Sequence, residues 1–164
     1  QQFACAARLE NDPEFLFFLV GEGVYRQRWE REVAGLKNVR FLPNLARADY
    51  LDLLRASDVC LAPLTAELHS PAIPGKVQNI MAVARPVVAI VPADSEAARL
   101  VKESAGGFIV APGDAAGLEA ILRQLKSDPS LLERKGRCGR RFAEEHFDLE
   151  AALTSAEAVL DSIN

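Results

Sequence analysis

Basic residues are in short supply. Nineteen lysines and arginines against 23 acids leave a formal charge of −4 over 164 residues. A chain built to coat nucleic acid carries the opposite balance, so no nucleic-acid partner is expected. Cysteine is scarce and odd in number. Cys5, Cys60 and Cys138 form no CxxC pair and no metal-ligand spacing, which excludes a disulfide framework and a zinc ribbon and reads as thiols kept reduced, as in the cytoplasm. No apolar run reaches the roughly 20 residues that cross a bilayer, and no secretory leader is visible. Internal repeats, low-complexity tracts and linkers long enough to divide the chain are also lacking. What remains is ordinary globular material, 49% apolar and 26% charged, long enough for one domain with a real core. Residues 1–164 are therefore read as one domain. Its opening, residues 1–10, already has a helical stripe in Phe3, Ala6, Ala7 and Leu9, which reads as mid-helix and suggests a piece of a longer chain.

Apolar runs alternate with amphipathic stretches. Strands are expected over 15–20, 38–42, 59–64, 87–91 and 108–111, the run at 87–91 being the continuous kind that parallel sheets bury. Helices are expected over 24–35, 47–57, 95–104, 114–127, 130–146 and 149–163. Asp94 or Ser95 and Asp114 are the caps, Gly106-Gly107 ends the helix at 95–104, and Asp128-Pro129 breaks and restarts the chain. Such alternation specifies an α/β fold, a parallel sheet in three layers with helices on both faces. Ligands of these sheets bind outside the carboxyl ends of the strands. The loops at 21–23, 43–47, 65–76, 92–96 and 112–114 all follow strands, so all should line one rim.

The most informative stretch is Ile73-Pro74-Gly75-Lys76-Val77-Gln78-Asn79-Ile80-Met81-Ala82-Val83-Ala84-Arg85-Pro86. Pro74 suits a first helical position, with φ already set. Gly75 removes bulk where the helix opens, and Lys76 places a cation beside free N–H groups that already favour an anion. Val77, Ile80, Met81 and Ala84 share one face and should point to the core, and Arg85-Pro86 closes the helix. This is a credible phosphate site, although Lys76 alone could be a solvated helix lysine. Gly21 and Gly23 either turn the chain or let a base or ribose approach the backbone. The full dinucleotide fingerprint fails, because neither Arg26 nor Gln27 is a third glycine. His69 and Ser70 sit in the rim loop, where solvation and turn chemistry explain them as readily as a ligand. Asn79 is a poor helix-interior residue, which favours a role. Glu96 opens a helix, where the dipole favours a carboxylate anyway. No carboxylate pair lies near the phosphate loop, so neither a metal nor a cofactor is implied. Arg134, Lys135, Arg137, Arg140 and Arg141 either meet anionic lipid headgroups or pair along their helix with residues such as Glu133 and Glu144. Tyr25 and Trp29 are expected in the core or at a domain interface.

The order of these pieces resembles the C-terminal domain of the retaining glycosyltransferases of family four, one Rossmann-like half of the GT-B fold. Leu19-Val20-Gly21-Glu22-Gly23, Asn38-Val39-Arg40-Phe41-Leu42-Pro43, Ala56-Ser57-Asp58-Val59, Met81 through Ala89, Pro112-Gly113-Asp114 and Gly139 through Phe147 follow the family's sequence of motifs. The resemblance covers almost the whole chain, and its order is more specific than any piece. The family often carries a pair of glutamates ahead of the helix-to-strand signature, where this chain has Pro71 and Asn79. Pro74-Gly75-Lys76 with Asn79 instead resembles a subgroup reading Pro-Ser-Lys, which acts in polysaccharide, O-antigen and capsule assembly. Ala84 replaces the usual glycine before Arg-Pro, expected to be a small packing change. The family's first strand, its glycine-rich loop and its acceptor-binding N-terminal domain are absent. The resemblance implies a donor-binding domain for a UDP- or GDP-linked sugar, in an enzyme that transfers hexose or N-acetylhexosamine at the inner membrane face. In it Lys76 would neutralise the diphosphate, Asn79 would bond the ribose or sugar, and Gly21, Gly23, Pro43, Ser70, Pro74 and Gly75 would complete the nucleotide-sugar site, with His69 and Glu96 as candidate sugar contacts.

Two other classes fit the pattern less well. An epimerase-like enzyme reusing a GT-B half needs acid–base groups in the cleft, for which only Glu67, His69 and Glu96 are placed. A receiver-like module needs clustered acids at the first strand end, and none are there.

Overall fold

A computed structural model of the chain describes residues 2–64 and 75–147. In order these form α1 (Gln2–Arg8), β1 (Phe17–Val20), α2 (Arg26–Glu32), β2 (Val39–Leu42), α3 (Arg47–Ala56), β3 (Cys60–Pro63), α4 (Gly75–Ala82), β4 (Val87–Ile90), α5 (Glu96–Ser104), β5 (Gly107–Val110), α6 (Ala115–Ser127) and α7 (Pro129–His146). The expected α/β alternation and parallel pairing are both present. The expected loop at 65–73, with Glu67, His69, Ser70 and Pro74 in or beside it, and the helix at 149–163 lie outside the described residues.

β4 sits at the centre of its sheet, and all four of its residues are buried. Its side chains alternate between layers, as strand geometry requires. Val87 and Ala89, with Val91 just beyond, pack against Val77, Ile80 and Met81 of α4, Ala97, Leu100 and Val101 of α5, and Leu54 of α3. Val88 and Ile90 face the other way, onto Cys5 and Leu9 at α1 and Leu118, Leu122 and Leu125 of α6. A third cluster joins Phe3 and Ala6 of α1 to Val33 and Val39, beside β1. Ala7 is exposed where the sequence pattern placed it on the buried stripe, and Cys5 takes its place. Cys5 and Cys60 are buried free thiols, each pushed up to about 11 by desolvation, while Cys138 is half-buried.

The single expected sheet is divided. β1 pairs only with β2, and β3, β4 and β5 form a separate sheet in that order. All pairs are parallel. The two sheets also run the same way. A short turn returns α6 along β5, and Lys126, in the last turn of α6, bonds Asp12 at 2.9 Å and Glu14 at 2.5 Å just before β1. The starting ends of β1 and β5 therefore share one edge, and the carboxyl ends share the other.

Caps follow the sequence closely. Ser95 accepts from Ala98 N–H, Asp114 from Gly117 N–H and Asp128 from Leu131 N–H, so three helix starts are satisfied by side-chain oxygens. The C-terminal ends differ from expectation. α4 closes in a Schellman motif, with Ala84 N–H donating to Met81 C=O at 2.9 Å and Arg85 N–H to Ile80 C=O at 3.3 Å. Ala84 occupies the left-handed position, φ +57°, so it does not extend the buried stripe of Val77, Ile80 and Met81. Its departure from the resembled glycine is thus a matter of backbone conformation, with packing secondary. Ala105 does the same at the end of α5, φ +50°, one residue before the expected glycines.

A left-handed alanine costs roughly 1–2 kcal/mol, against about 0.5–1 kcal/mol for the extra freedom glycine loses on folding. Ala84→Gly should therefore stabilise the fold by about 0.5–1 kcal/mol. The urea midpoint of the variant checks this, and an unchanged or lowered midpoint contradicts it.

Candidate functional site

The rim at the carboxyl ends of the strands carries Gly21, Gly23 and Pro43, and Gly75 and Lys76 open α4 after β3. At the end of β1, Gly21 takes φ +131°, a region side chains avoid. Its N–H donates to Leu42 C=O at 3.2 Å, continuing the pairing with β2 by one residue. Gly23 lies in open space. Both glycines line a cavity of about 180 Å³, together with Leu19, Val20, Arg26, Trp29 and Phe41. Pro43 follows β2 immediately and is exposed.

Arg26, which the sequence reading passed over, organises this corner. Its Nη1 donates to Gly21 C=O at 2.9 Å and Leu42 C=O at 3.0 Å, its Nε to Glu30 at 2.8 Å, and its guanidinium lies 5.8 Å from the centre of the Phe41 ring. It stands where a dinucleotide fingerprint has its third glycine, and it fastens the ends of β1 and β2 together. Only the Arg26–Glu30 spacing hinted at this, since the contact to Leu42 is remote in sequence. Tyr25 and Trp29 stack at 6.0 Å. Trp29 also meets Phe3 edge-on, but with 60% and 36% exposure Tyr25 and Trp29 are not core residues. Trp29, with Phe41, gives the cavity an aromatic wall.

Gly75 and Lys76 open α4, as the sequence pattern requires. A Cβ built on Gly75 would meet nothing within 4 Å. Lys76 is exposed, and no ion pair or hydrogen bond to it is found among the described residues. The first N–H groups of a helix lack intrahelical partners, so this end sets backbone donors and a positive dipole end beside an ammonium that has no partner among the described residues. The helix behind it is fixed. Val77, Ile80 and Met81 are buried, and Arg140 of α7 donates to the carbonyl of Ala82.

Asn79 is placed elsewhere. It lines a polar groove of about 490 Å³ between α4 and α7, with Gln78, Ala82, Arg140, Ala143, Glu144 and Phe147. Glu96 is bound on its own helix by Arg99, whose Nε donates to it at 2.9 Å and which also pairs with Glu103 at 2.7 Å. The Arg99 hydrogen bond holds the Glu96 carboxyl below its usual range. Glu96 thus stands in the first turn of α5, one residue after the Ser95 cap, paired with Arg99. Along α7, Arg137 pairs with Glu133, Arg140 with Glu144 and Arg141 with Glu145, while Lys135 lies 4.9 Å from the Phe108 ring centre. This is the internally paired face, the alternative to a lipid-binding one. Among the described residues no helix is long and apolar enough to cross a membrane, and no cluster of metal-ligating side chains is present.

Comparison with known proteins agrees with this geometry. The profile of the group 1 glycosyl transferases matches residues 3–128. A putative colanic acid biosynthesis glycosyl transferase, WcaI of Escherichia coli K12, is 29% identical over 151 residues, which is 90% of this chain and 36% of the relative. The chain thus spans about a third of that protein's length. Anabaena Alr3699/HepE, solved in complex with UDP, superposes with a TM-score of 0.78 at 22% identity, over 99% of this chain and 45% of that one. The C-terminal domain of a group 1 glycosyl transferase, LpcC of Francisella tularensis, superposes with a TM-score of 0.71 at 17% identity, over 90% of this chain and 77% of that one.

Proposed function

The chain belongs to the group 1 glycosyl transferases, and from that membership we propose that it is the donor-binding, C-terminal half of an enzyme transferring sugar from a nucleotide diphosphate sugar. The observation that carries this reading is Lys76. An exposed ammonium, unpartnered among the described residues, stands in the first turn of an anchored helix. The leaving diphosphate gains charge as the glycosidic bond to it breaks, and fixed donors with a nearby cation are what stabilise that charge. In this reading Gly75 and Lys76 hold the diphosphate. The cavity of Gly21, Gly23, Trp29 and Phe41 takes the base or ribose, with the glycines allowing close approach and the aromatic rings offering a face to stack on. Pro43 borders it.

A polysaccharide acceptor is favoured by the relative WcaI, of colanic acid biosynthesis, and by the Pro-Gly-Lys sequence. A UDP-linked donor is favoured by the HepE complexes. The acceptor belongs to a second domain, since WcaI and HepE are each two to three times as long as this chain. The epimerase-like alternative has less support, because Arg99 already occupies the Glu96 carboxylate.

Titration with UDP, GDP and their sugars, followed by backbone amide shifts, tests the reading. The signals of Gly21, Gly23, Gly75 and Lys76 should move together with one saturation curve. Binding that leaves the Gly75 and Lys76 amides unmoved overturns the diphosphate assignment, and no binding by any of the ligands overturns the donor role.

A further inference from the structure

The groove between α4 and α7 holds side chains that the proposed function does not use. The two helices run antiparallel. Gly136 lies against the carbonyl of Ala84 and Gly139 against Met81, while Ala143 and Phe147 share the groove with Gln78 and Asn79. Beside Ala84 the glycines bring the two backbones together. Farther along, Ala82 and Ala143 keep the floor low, longer side chains stand on either side, and a space of about 490 Å³ opens. That is the size of a small-molecule site. On α7 the lining residues Arg140, Ala143, Glu144 and Phe147 are spaced by three and four, so they share one face.

Arg140 and Glu144 are the ionisable groups of this lining, and they are paired, with Nε donating to the carboxylate at 2.6 Å. Their charges cancel, so an ionic ligand gains little field here. The side-chain amides of Gln78 and Asn79 have no hydrogen-bond partner among the described residues, although both residues are half-buried. Each amide presents two donors and an acceptor, and Glu144 keeps a second oxygen outside its bond to Arg140. A hydroxyl group both donates and accepts, so this set suits several hydroxyls held side by side. Phe147 adds a flat apolar face. Its ring meets Phe142 edge-on at 5.8 Å, and its N–H donates to Ala143 C=O at 2.9 Å. Arg140 is fixed in turn by the carbonyl of Ala82. These walls are therefore set before a ligand arrives. A partner helix would need an apolar stripe, and Phe147 is the one large apolar side chain among the described lining residues.

We propose that this groove binds a neutral oligosaccharide, with Gln78, Asn79 and Glu144 bonding its hydroxyls and Phe147 stacking on the C–H face of one sugar ring. The ligand is a glycan without a nucleotide, because the paired lining has no spare charge for a diphosphate. Neither Lys76 nor the rim cavity takes part, so the assignment goes beyond the donor reading and stands without it.

The test titrates the protein with maltotriose, cellotriose and triacetylchitotriose, and with trigalacturonate as the charged counterpart, and follows the side-chain NH2 signals of Gln78 and Asn79. At least one neutral trisaccharide should move both signals along one saturation curve, with a Kd of roughly 1 mM. The shifts should persist in high salt, which screens an ionic contact, and in the presence of excess UDP. Gln78→Ala should weaken the binding by about 3- to 10-fold, the loss of one neutral hydrogen bond. Alanine is the stronger helix former, so the fold is kept. Failure of all three neutral sugars to move the two amides overturns the proposal. So does tighter binding there of trigalacturonate or UDP, which would make the groove an anion site, and so does an unchanged affinity in Gln78→Ala. Nuclear Overhauser contacts from the two amides to residues beyond Phe147 in the free protein would show the groove filled by the chain itself, with the same consequence. Failure of UDP to bind at all overturns the donor reading and leaves these outcomes untouched, so the two fail separately.

Discussion

Replacing Gly107 with alanine should destabilise the fold by about 3 kcal/mol, near the top of the range for overpacking a tightly filled site. Gly107 opens β5 beside β4. A Cβ there would lie deep inside the van der Waals radius of the Val87 carbonyl oxygen, 2.8 Å from its carbonyl carbon and 3.0 Å from its Cβ. Those are backbone and branch-point atoms that no rotamer change can move. Relief requires β5 to shift from β4, whose four apolar residues, with Val91 just beyond, hold both helix layers. For a domain of this size the loss corresponds to a fall in Tm of roughly 6–12 °C. Gly23→Ala is the matched control. Nothing lies within 4 Å of its Cβ, and its stability should stay within about 0.5 kcal/mol of the parent. Urea unfolding of both variants is the measurement. A Gly107→Ala midpoint equal to that of Gly23→Ala would contradict the packing described at β5.

Lys76→Ala should weaken UDP binding by about 10- to 100-fold, the equivalent of losing one hydrogen bond to a charged group, roughly 1.5–3 kcal/mol. The side chain is exposed, so the variant should match the parent in stability within about 0.5 kcal/mol. Uridine separates the charge effect from the rest of the site. Without phosphates it has nothing to offer the ammonium, and its weak binding should be the same in both proteins. The parent's affinity for UDP should fall with added salt more steeply than the variant's. Calorimetric titration in low and moderate salt gives all of these numbers. UDP affinity that survives the substitution unchanged would remove Lys76 from the diphosphate.

The elements were legible where a single physical signal ruled. The run from Val87 to Val91 announces a strand buried on both faces, and Ser95, Asp114 and Asp128 announce helix starts through short-range side-chain bonds. Helix ends were harder. Left-handed closure is a glycine signal in sequence, yet here it falls on Ala84 and Ala105. Gly106 and Gly107 answer to close packing, since a Cβ on Gly106 would come 2.6 Å from the Gly139 Cα. In the site, Gly21 and Gly23 were readable because a turn and a close approach leave the same mark. Arg26 was not, because its role depends on Leu42 C=O reaching it from another strand. Asn79 was assigned by its spacing from Lys76, but orientation on a helix is decided by what packs beside it, and that is α7. The break between β1 and β3 was invisible for the same reason. Strand order is a nonlocal property, and alternation alone does not report which edges meet.

The contact between α7 and the closing turn of α4 sets the state of the rim before any ligand arrives. Gly136 comes so near that a Cβ on it would press into the carbonyl of Ala84, and Gly139 lies against Met81. One end of α4 is therefore bolted down, while at the other a Cβ on Gly75 would meet nothing within 4 Å among the described residues. In the proposed reading, an incoming diphosphate would meet dipoles whose direction was settled when the chain folded. Little of its binding energy is spent on reorienting them, so the gain from each donor is kept in the complex. Loosening that seat, even far from Lys76, would convert a preorganised electrostatic device into one that must be rebuilt at every encounter.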